Sequence, residues 1–333
     1  MLQKVIWFAL LFLFTAAGFA QQIKFATVAP EGSTYLKVLR ELDQEMRRLT
    51  DGKVKFKIYP SQIQGDEKDV LRKIRLGQLH SAGFTGVGLG EILPEERILE
   101  LPMLFRNTAE VDYITSLLYD DFNRKFEEKG FIILGWADVG FAYLYAQKPI
   151  TSVNDLKGIK MWMWEGDPVA EATFKALGVS AIPLSLTDVL TSLQTGLIQS
   201  VYVPPLPCVT LQWYTRVKTI MDVPLAYVSG AVLISRKRFN KLSPEHQQLL
   251  REKGREYMAK LVKLSREDNQ KALQIMQENG LQMVHVPEEN LEEFYRAAKK
   301  ARESLVGKLY SRELLERVET ALAEFREKEE QSK

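Results

Sequence analysis

Side chains suited to acid–base, nucleophilic or metal chemistry are scarce in this sequence. His80, His246 and His285 lie far apart, and the one cysteine, Cys208, sits between Pro207 and Val209 with no histidine near it in sequence. A cysteine nucleophile needs a neighbouring base and a zinc site needs several His, Cys or carboxylate ligands, so Cys208 reads as a small buried residue and no metal set is expected. The sequence contains no Gly-x-Ser-x-Gly elbow, no phosphate loop ending in Gly-Lys-Ser/Thr and no His-Glu-x-x-His. Gly86-Val87-Gly88-Leu89-Gly90 is glycine-rich, but its spacing is not the dinucleotide fingerprint, and it reads as a turn. What remains is the chemistry of binding. In Lys160-Met161-Trp162-Met163-Trp164, a strand would place Lys160, Trp162 and Trp164 on one face and the two methionines on the other, one set toward a cleft and the other toward a core.

The elements that must position such residues follow from length and pattern. The chain has 333 residues, a formal charge of +2, 26% charged and 46% hydrophobic residues. At roughly 150 residues per domain, this length predicts two domains, each with its own core. The composition excludes a disordered chain and a strongly basic nucleic-acid binder, and a single cysteine excludes an internal disulfide. Residues 1–20 stand apart: Lys4, an apolar run over 5–14, then small residues up to Ala20, the pattern of a cleaved secretory signal. No later run of ~18 apolar residues predicts a membrane span, and no cysteine near the cut permits a lipid anchor. A soluble protein exported to the periplasm and beginning at Gln21 is expected.

After the signal, 23–28 reads as a strand, followed by a helix with Leu36, Leu39, Leu42, Met46 and Leu49 on one face behind the cap candidates Ser33 and Thr34. Val54, Phe56 and Ile58 then alternate with lysines up to Pro60, a half-buried strand. Helices near 66–76 and 110–129 and a strand over 131–137 continue a pattern of a parallel sheet covered by helices. Asp167-Pro168 marks another helix start, and a further helix runs from Thr187 to Gly196. No internal repeat or flexible tether separates two lobes, so crossing strands are expected to join them. From Ser243-Pro244-Glu245 to Asn279-Gly280 only Gly254 interrupts a helical pattern. That is ~36 residues and ~54 Å at 1.5 Å per residue, a strut across both lobes, with a kink or break at Gly254 as the alternative.

A family comes into view in the order of several short motifs. Tyr59-Pro60-Ser61-Gln62-Ile63-Gln64-Gly65-Asp66, Leu76-Gly77-Gln78-Leu79, Leu101-Pro102-Met103-Leu104-Phe105-Arg106 and Gly135-Trp136 with Gly140-Phe141 come first. Asp155-Leu156-Lys157-Gly158-Ile159-Lys160-Met161, Phe174-Lys175-Ala176-Leu177-Gly178 and Leu193-Gln194-Thr195-Gly196 follow. Together, and from about Ile23 to the long C-terminal helix, they closely resemble the DctP-type solute-binding subunits of tripartite ATP-independent periplasmic (TRAP) transporters. The resemblance implies a periplasmic-binding-protein-like α/β fold of two lobes, with a ligand cleft between them that closes by hinge motion. It places 21–139 and about 229–268 in lobe I, and about 140–228 and 269–333 in lobe II. It implies no enzyme activity, no cofactor and no metal, and integral membrane subunits as partners.

At the implied ligand site the sequence departs from the pattern. Most members hold the ligand carboxylate with an arginine two residues beyond the second lysine of the Asp-Leu-Lys-Gly-x-Lys segment, and here that position is Trp162. A second arginine is replaced by Ala142, and an asparagine before a proline by Val203. The same alignment adds Val28, Glu67, Phe84, Thr85, Trp164, Glu165, Leu186 and Tyr227 to the expected ligand-binding set, with helix capping as the other role for Glu67.

Charge-assisted hydrogen bonds to a carboxylate contribute about 1.5–3 kcal/mol each, and a buried carboxylate without them faces a desolvation cost of several kcal/mol. A cleft lined by Trp162, Ala142 and Val203 is therefore expected to reject simple dicarboxylates and take a hydrophobic or weakly polar solute. Burial of a tryptophan face against such a ligand would contribute about 4–6 kcal/mol. The alternatives are an organic acid held by Lys160 or Arg216, a periplasmic sensor or scavenger without a transporter, and, for members lacking the arginine, a tetratricopeptide-repeat partner protein.

Overall fold

The computed structural model describes residues 21–331, so the expected signal at 1–20 lies outside the described residues. The chain begins β1 (Gln21–Thr27), α1 (Thr34–Leu49), β2 (Val54–Tyr59), α2 (Glu67–Arg75), β3 (Ser81–Thr85), α3 (Gly86–Gly90), a 3-10 segment (Pro94–Glu100), α4 (Thr108–Glu128) and β4 (Phe131–Ala146). It continues β5 (Met161–Trp164), α5 (Pro168–Leu177), β6 (Ala181–Leu184), α6 (Val189–Thr195), β7 (Ser200–Val203), α7 (Pro205–Thr210), β8 (Thr219–Met221) and β9 (Ala226–Ser235). The C-terminal part is α8 (Arg236–Phe239), α9 (Pro244–Glu278), β10 (Gln282–Val284), α10 (Glu288–Leu305) and α11 (Arg312–Gln331).

The strands order as β2-β1-β3-β9-β4-β7-β5-β6, with β8 beside β4 and β10 beside β8. β1 pairs parallel with β2 and β3, while β9 lies antiparallel between β3 and β4. β4 pairs with β9 from Phe131 to Ala142 and with β7 from Tyr143 to Ala146, so one strand passes from the first half of the sheet into the second. Two α/β lobes joined by a crossing strand result. The strand expected over 131–137 is longer because the chain bends where it was expected to stop: the register shifts between Asp138 and Gly140, and Gly140 takes a φ of +119°.

The local readings of the helices hold at their caps. Ser33 accepts the Leu36 N–H and Asp66 that of Glu67, and Asp167 accepts from Val169 and Ala170 ahead of Pro168 on the first turn. Gly86–Gly90, expected as a turn, is a short helix capped by Thr85. The strut runs unbroken as α9 for 35 residues, about 52 Å. Its Gly254 marks a close approach: a Cβ there would lie 2.6 Å from the Leu134 carbonyl oxygen of β4. Leu250, Met258 and Leu261 join the core of the first lobe, and Met276 that of the second. α11 differs from the expected boundary, which placed all of 269–333 in the second lobe. Its Leu315, Val318 and Leu322 pack with Ile114 and Leu118 of α4, in the first.

Candidate ligand cleft

A cleft lies where the two halves of the sheet meet. The first lobe supplies Val28 just past β1, Phe84 and Thr85 at the end of β3, and Arg97 and Glu100 of the 3-10 segment, and the paired strands at the crossing supply Asp138 and Ala142 of β4 and Tyr227 of β9. The second supplies Trp162 and Trp164 of β5, Asp167 ahead of α5, Leu186, and Tyr202 and Val203 of β7. All three positions at which the sequence departs from the resemblance, Ala142, Trp162 and Val203, face this cleft. So do Val28, Phe84, Thr85, Trp164, Leu186 and Tyr227.

Two expected residues do not line it. Glu165 follows the last residue of β5, where strand alternation ends, and is exposed. Glu67 is buried on the far side of the wall. Its carboxylate accepts the Thr85 and Gly88 N–H groups at 2.8 and 2.7 Å and the Thr85 hydroxyl at 3.0 Å, so it caps the neighbouring helix α3. Burial pushes this carboxyl up to about 8, with Asp66 adding to the rise and the donors from Thr85 and Gly88 opposing it. The cations weighed for an acid ligand lie elsewhere: Lys160 and Arg216 are exposed, and the Lys160 ammonium donates to the Gly196 carbonyl at 3.3 Å.

Trp162 is held more tightly than a ligand platform requires. Its ring stacks on Tyr202 with centroids 5.1 Å apart, meets Trp213 edge-on at 5.1 Å, and donates from Nε1 to the Leu184 carbonyl at 3.1 Å. Only 1% of the residue is accessible. Most of the 4–6 kcal/mol expected from covering this ring with ligand is therefore already gained within the protein, and Trp162 acts as the firm base under Trp164, Tyr202 and Val203. The expected alternation on β5 holds: Trp162 and Trp164 pack with Leu186, whereas Met161 and Met163 pack with Leu156 and Phe174.

Arg97, Glu100, Asp138 and Asp167 are the charged liners. Burial alone would depress Arg97, but Asp167 and Glu100 more than compensate and hold it charged. Glu100 accepts the Ser229 N–H at 2.7 Å, and the Ser229 hydroxyl, with one proton to donate, lies between Glu100 at 2.9 Å and Glu96 at 2.8 Å. Burial, reinforced by neighbouring Glu100, pushes Glu96 up to about 8. These buried side chains explain the glycine-rich run. A Cβ on Gly86 would lie 2.1 Å from the Glu100 carboxyl carbon, and one on Gly88 2.7 Å from a Glu67 oxygen. The run makes room for carboxylates of its own chain.

The charged liners carry no binding motif in the sequence, where Asp167 reads only as a helix cap. A usable signal is present in Glu95-Glu96-Arg97-Ile98-Leu99-Glu100: charges this dense in a segment leading into apolar Leu101-Pro102 must pair with one another if the segment is buried. Cys208 is buried and its thiol is pushed up by that burial, away from nucleophilic reactivity. Among the described residues, no three His, Cys, Asp or Glu side chains are grouped so as to hold a metal ion, and no helix is long and apolar enough to cross a membrane.

Comparison with known proteins places this geometry. A model of the family described as bacterial extracellular solute-binding protein, family 7 (DctP), matches residues 25–308. The 2,3-diketo-L-gulonate-binding periplasmic protein YiaO of Escherichia coli is 26% identical over 81% of this chain and 83% of its own. The sugar acid binding protein DctPAm of Advenella mimigardefordensis, solved with galactonate, superposes with a TM-score of 0.86 at 24% identity, over 92% of this chain and 99% of that one. A TRAP periplasmic solute-binding protein of Citrobacter koseri, solved with D-glucuronate, superposes with a TM-score of 0.81 at 24% identity, over 91% and 99%.

Proposed function

The chain belongs to bacterial extracellular solute-binding protein family 7, whose members are solute-binding components of transport, and on that premise we propose that it is the periplasmic subunit of a TRAP-type transporter whose cargo is hydrophobic or weakly polar. It captures the cargo in the cleft between its lobes and delivers it to integral membrane subunits. The observation that carries the cargo class is the placement of Trp162, Ala142 and Val203 in the cleft wall, with Lys160 and Arg216 outside it and Arg97 already paired with Asp167. A solute with an apolar body gains about 25 cal/mol per Å² of surface removed from water, and needs no cation.

A second reading, an organic acid held by Arg97, draws its support from the relatives named for or solved with sugar acids. Native mass spectrometry of the exported chain, followed by organic extraction, separates the two. Recovery of a stoichiometric apolar molecule supports the first reading. An extracted sugar acid, or thermal stabilisation by such acids alone, overturns it in favour of the second.

A further inference from the structure

Arg97 and Asp167 reach the cleft from opposite walls. Arg97 belongs to the 3-10 segment packed in the first lobe, while Asp167 caps α5, whose Ala170 and Phe174 pack in the second. The guanidinium Nη2 donates to Asp167 Oδ1 at 2.8 Å and stands 3.1 Å from Glu100 Oε2. The Arg97 and Asp167 side chains are only 3% and 8% exposed. The same Asp167 oxygen accepts the Val169 and Ala170 N–H groups, so the helix start fixes the carboxylate in place. Beside it, Trp164 Nε1 donates to Asp66 Oδ2 at 3.0 Å across the same gap.

We propose that Asp167 takes, from within the chain, the position on Arg97 that a ligand carboxylate would otherwise occupy, and so sets the cleft's specificity against carboxylates. The inference rests on the apolar cargo reading above and names the residue that enforces it. A solute carboxylate entering here would meet one guanidinium already shared by Asp167 and Glu100, while Asp138 in the wall is itself paired with Arg266 at 2.8 Å. Like charge and desolvation then oppose the attraction of the arginine. Joining the lobes through the protein's own ion pair leaves closure independent of any charge on the cargo.

Asn at position 167 keeps an oxygen for the helix cap but removes the charge that holds the guanidinium. Calorimetric titration of the mature chain with D-galactonate, D-glucuronate and benzoate is expected to show weak or no binding to the wild type. Asp167→Asn is expected to bind at least one of the three about tenfold tighter or better. Arg97→Met added to Asp167→Asn is expected to abolish that gain. The inference fails if Asp167→Asn binds none of the acids more tightly than wild type, or if the gain survives Arg97→Met. If Asp167→Asn does not fold, Asp167→Ser, which also retains a capping oxygen, carries the same comparison. Failure of the cargo reading looks different: the wild type then yields an acid on extraction, whatever the ratio between wild type and variant.

Discussion

Asn269 of α9 stands over Gly140 of β4. Its Nδ2 donates to the Val139 carbonyl at 2.8 Å and its Oδ1 accepts the Leu206 N–H at 2.9 Å, so one side chain of the strut ties the crossing strand to the start of α7. A Cβ on Gly140 would lie 2.6 Å from that Nδ2, and a φ of +119° disfavours any side chain. Gly140→Ala is therefore expected to cost about 2–3 kcal/mol, combining backbone strain with a displaced amide. An unchanged midpoint in urea unfolding would show that the bend tolerates a side chain.

Trp162 and Val203 both face the cleft but carry different loads. Trp162→Ala removes a ring packed against Trp164, Tyr202 and Trp213 and is expected to cost about 3–5 kcal/mol in denaturant unfolding. Val203 is partly exposed, so Val203→Asn is expected to change stability by less than about 1 kcal/mol while weakening capture of an apolar cargo. Equal losses of stability in the two variants would contradict the division between base and lining.

Stability should fall on the alkaline side through Glu96. Its folded carboxyl is raised to about 8 by burial and Glu100, so between the ordinary glutamate range and pH 8 the folded chain holds a proton that the unfolded chain has lost. The contribution is complete below the unfolded value and lost as pH rises through the folded one, at up to about 1.4 kcal/mol per pH unit. Glu96→Gln, a neutral isostere, is expected to reduce the fall in melting temperature between pH 5 and 8, leaving the part carried by Glu67, which burial also pushes up to about 8. A slope unchanged by that variant would remove Glu96 as its source.

Glu110 works in the opposite sense. Burial would raise it, but hydrogen bonds from Arg326 and the Arg106 N–H hold it below the usual range. Its contribution is thus present above the unfolded value and lost as pH falls through the folded one. Arg326 donates to it at 2.7 and 2.8 Å from α11, and to the Leu104 carbonyl at 2.8 Å. Arg326→Met is expected to cost about 1–3 kcal/mol at pH 7, less in acid, because the Glu110 charge is left buried without its partner. The measurement is urea unfolding at pH 7 and at pH 4, and an equal cost at both would exclude the pairing as the cause.

The residues that local physics governs were legible in the sequence. Ser33, Asp66, Asp167 and Ser243 each cap a helix because a short side-chain oxygen meets orphan N–H groups only one to three residues away. The alternation of Val54 and Phe56 with lysines, and that of the tryptophans with the methionines on β5, put the right faces inward. Glu67, Arg97 and Asp167 were beyond such reasoning, since their partners are far along the chain: Glu67 meets Gly88 across two elements, and Arg97 meets Asp167 across 70 positions. Where a charge ends up depends on which distant carboxylate or N–H the packing of the lobes brings within about 3 Å. Periodicity cannot encode that distance, so the elements and the outline of the cleft come from sequence, whereas only the tertiary structure decides which of its charges remain available to a ligand.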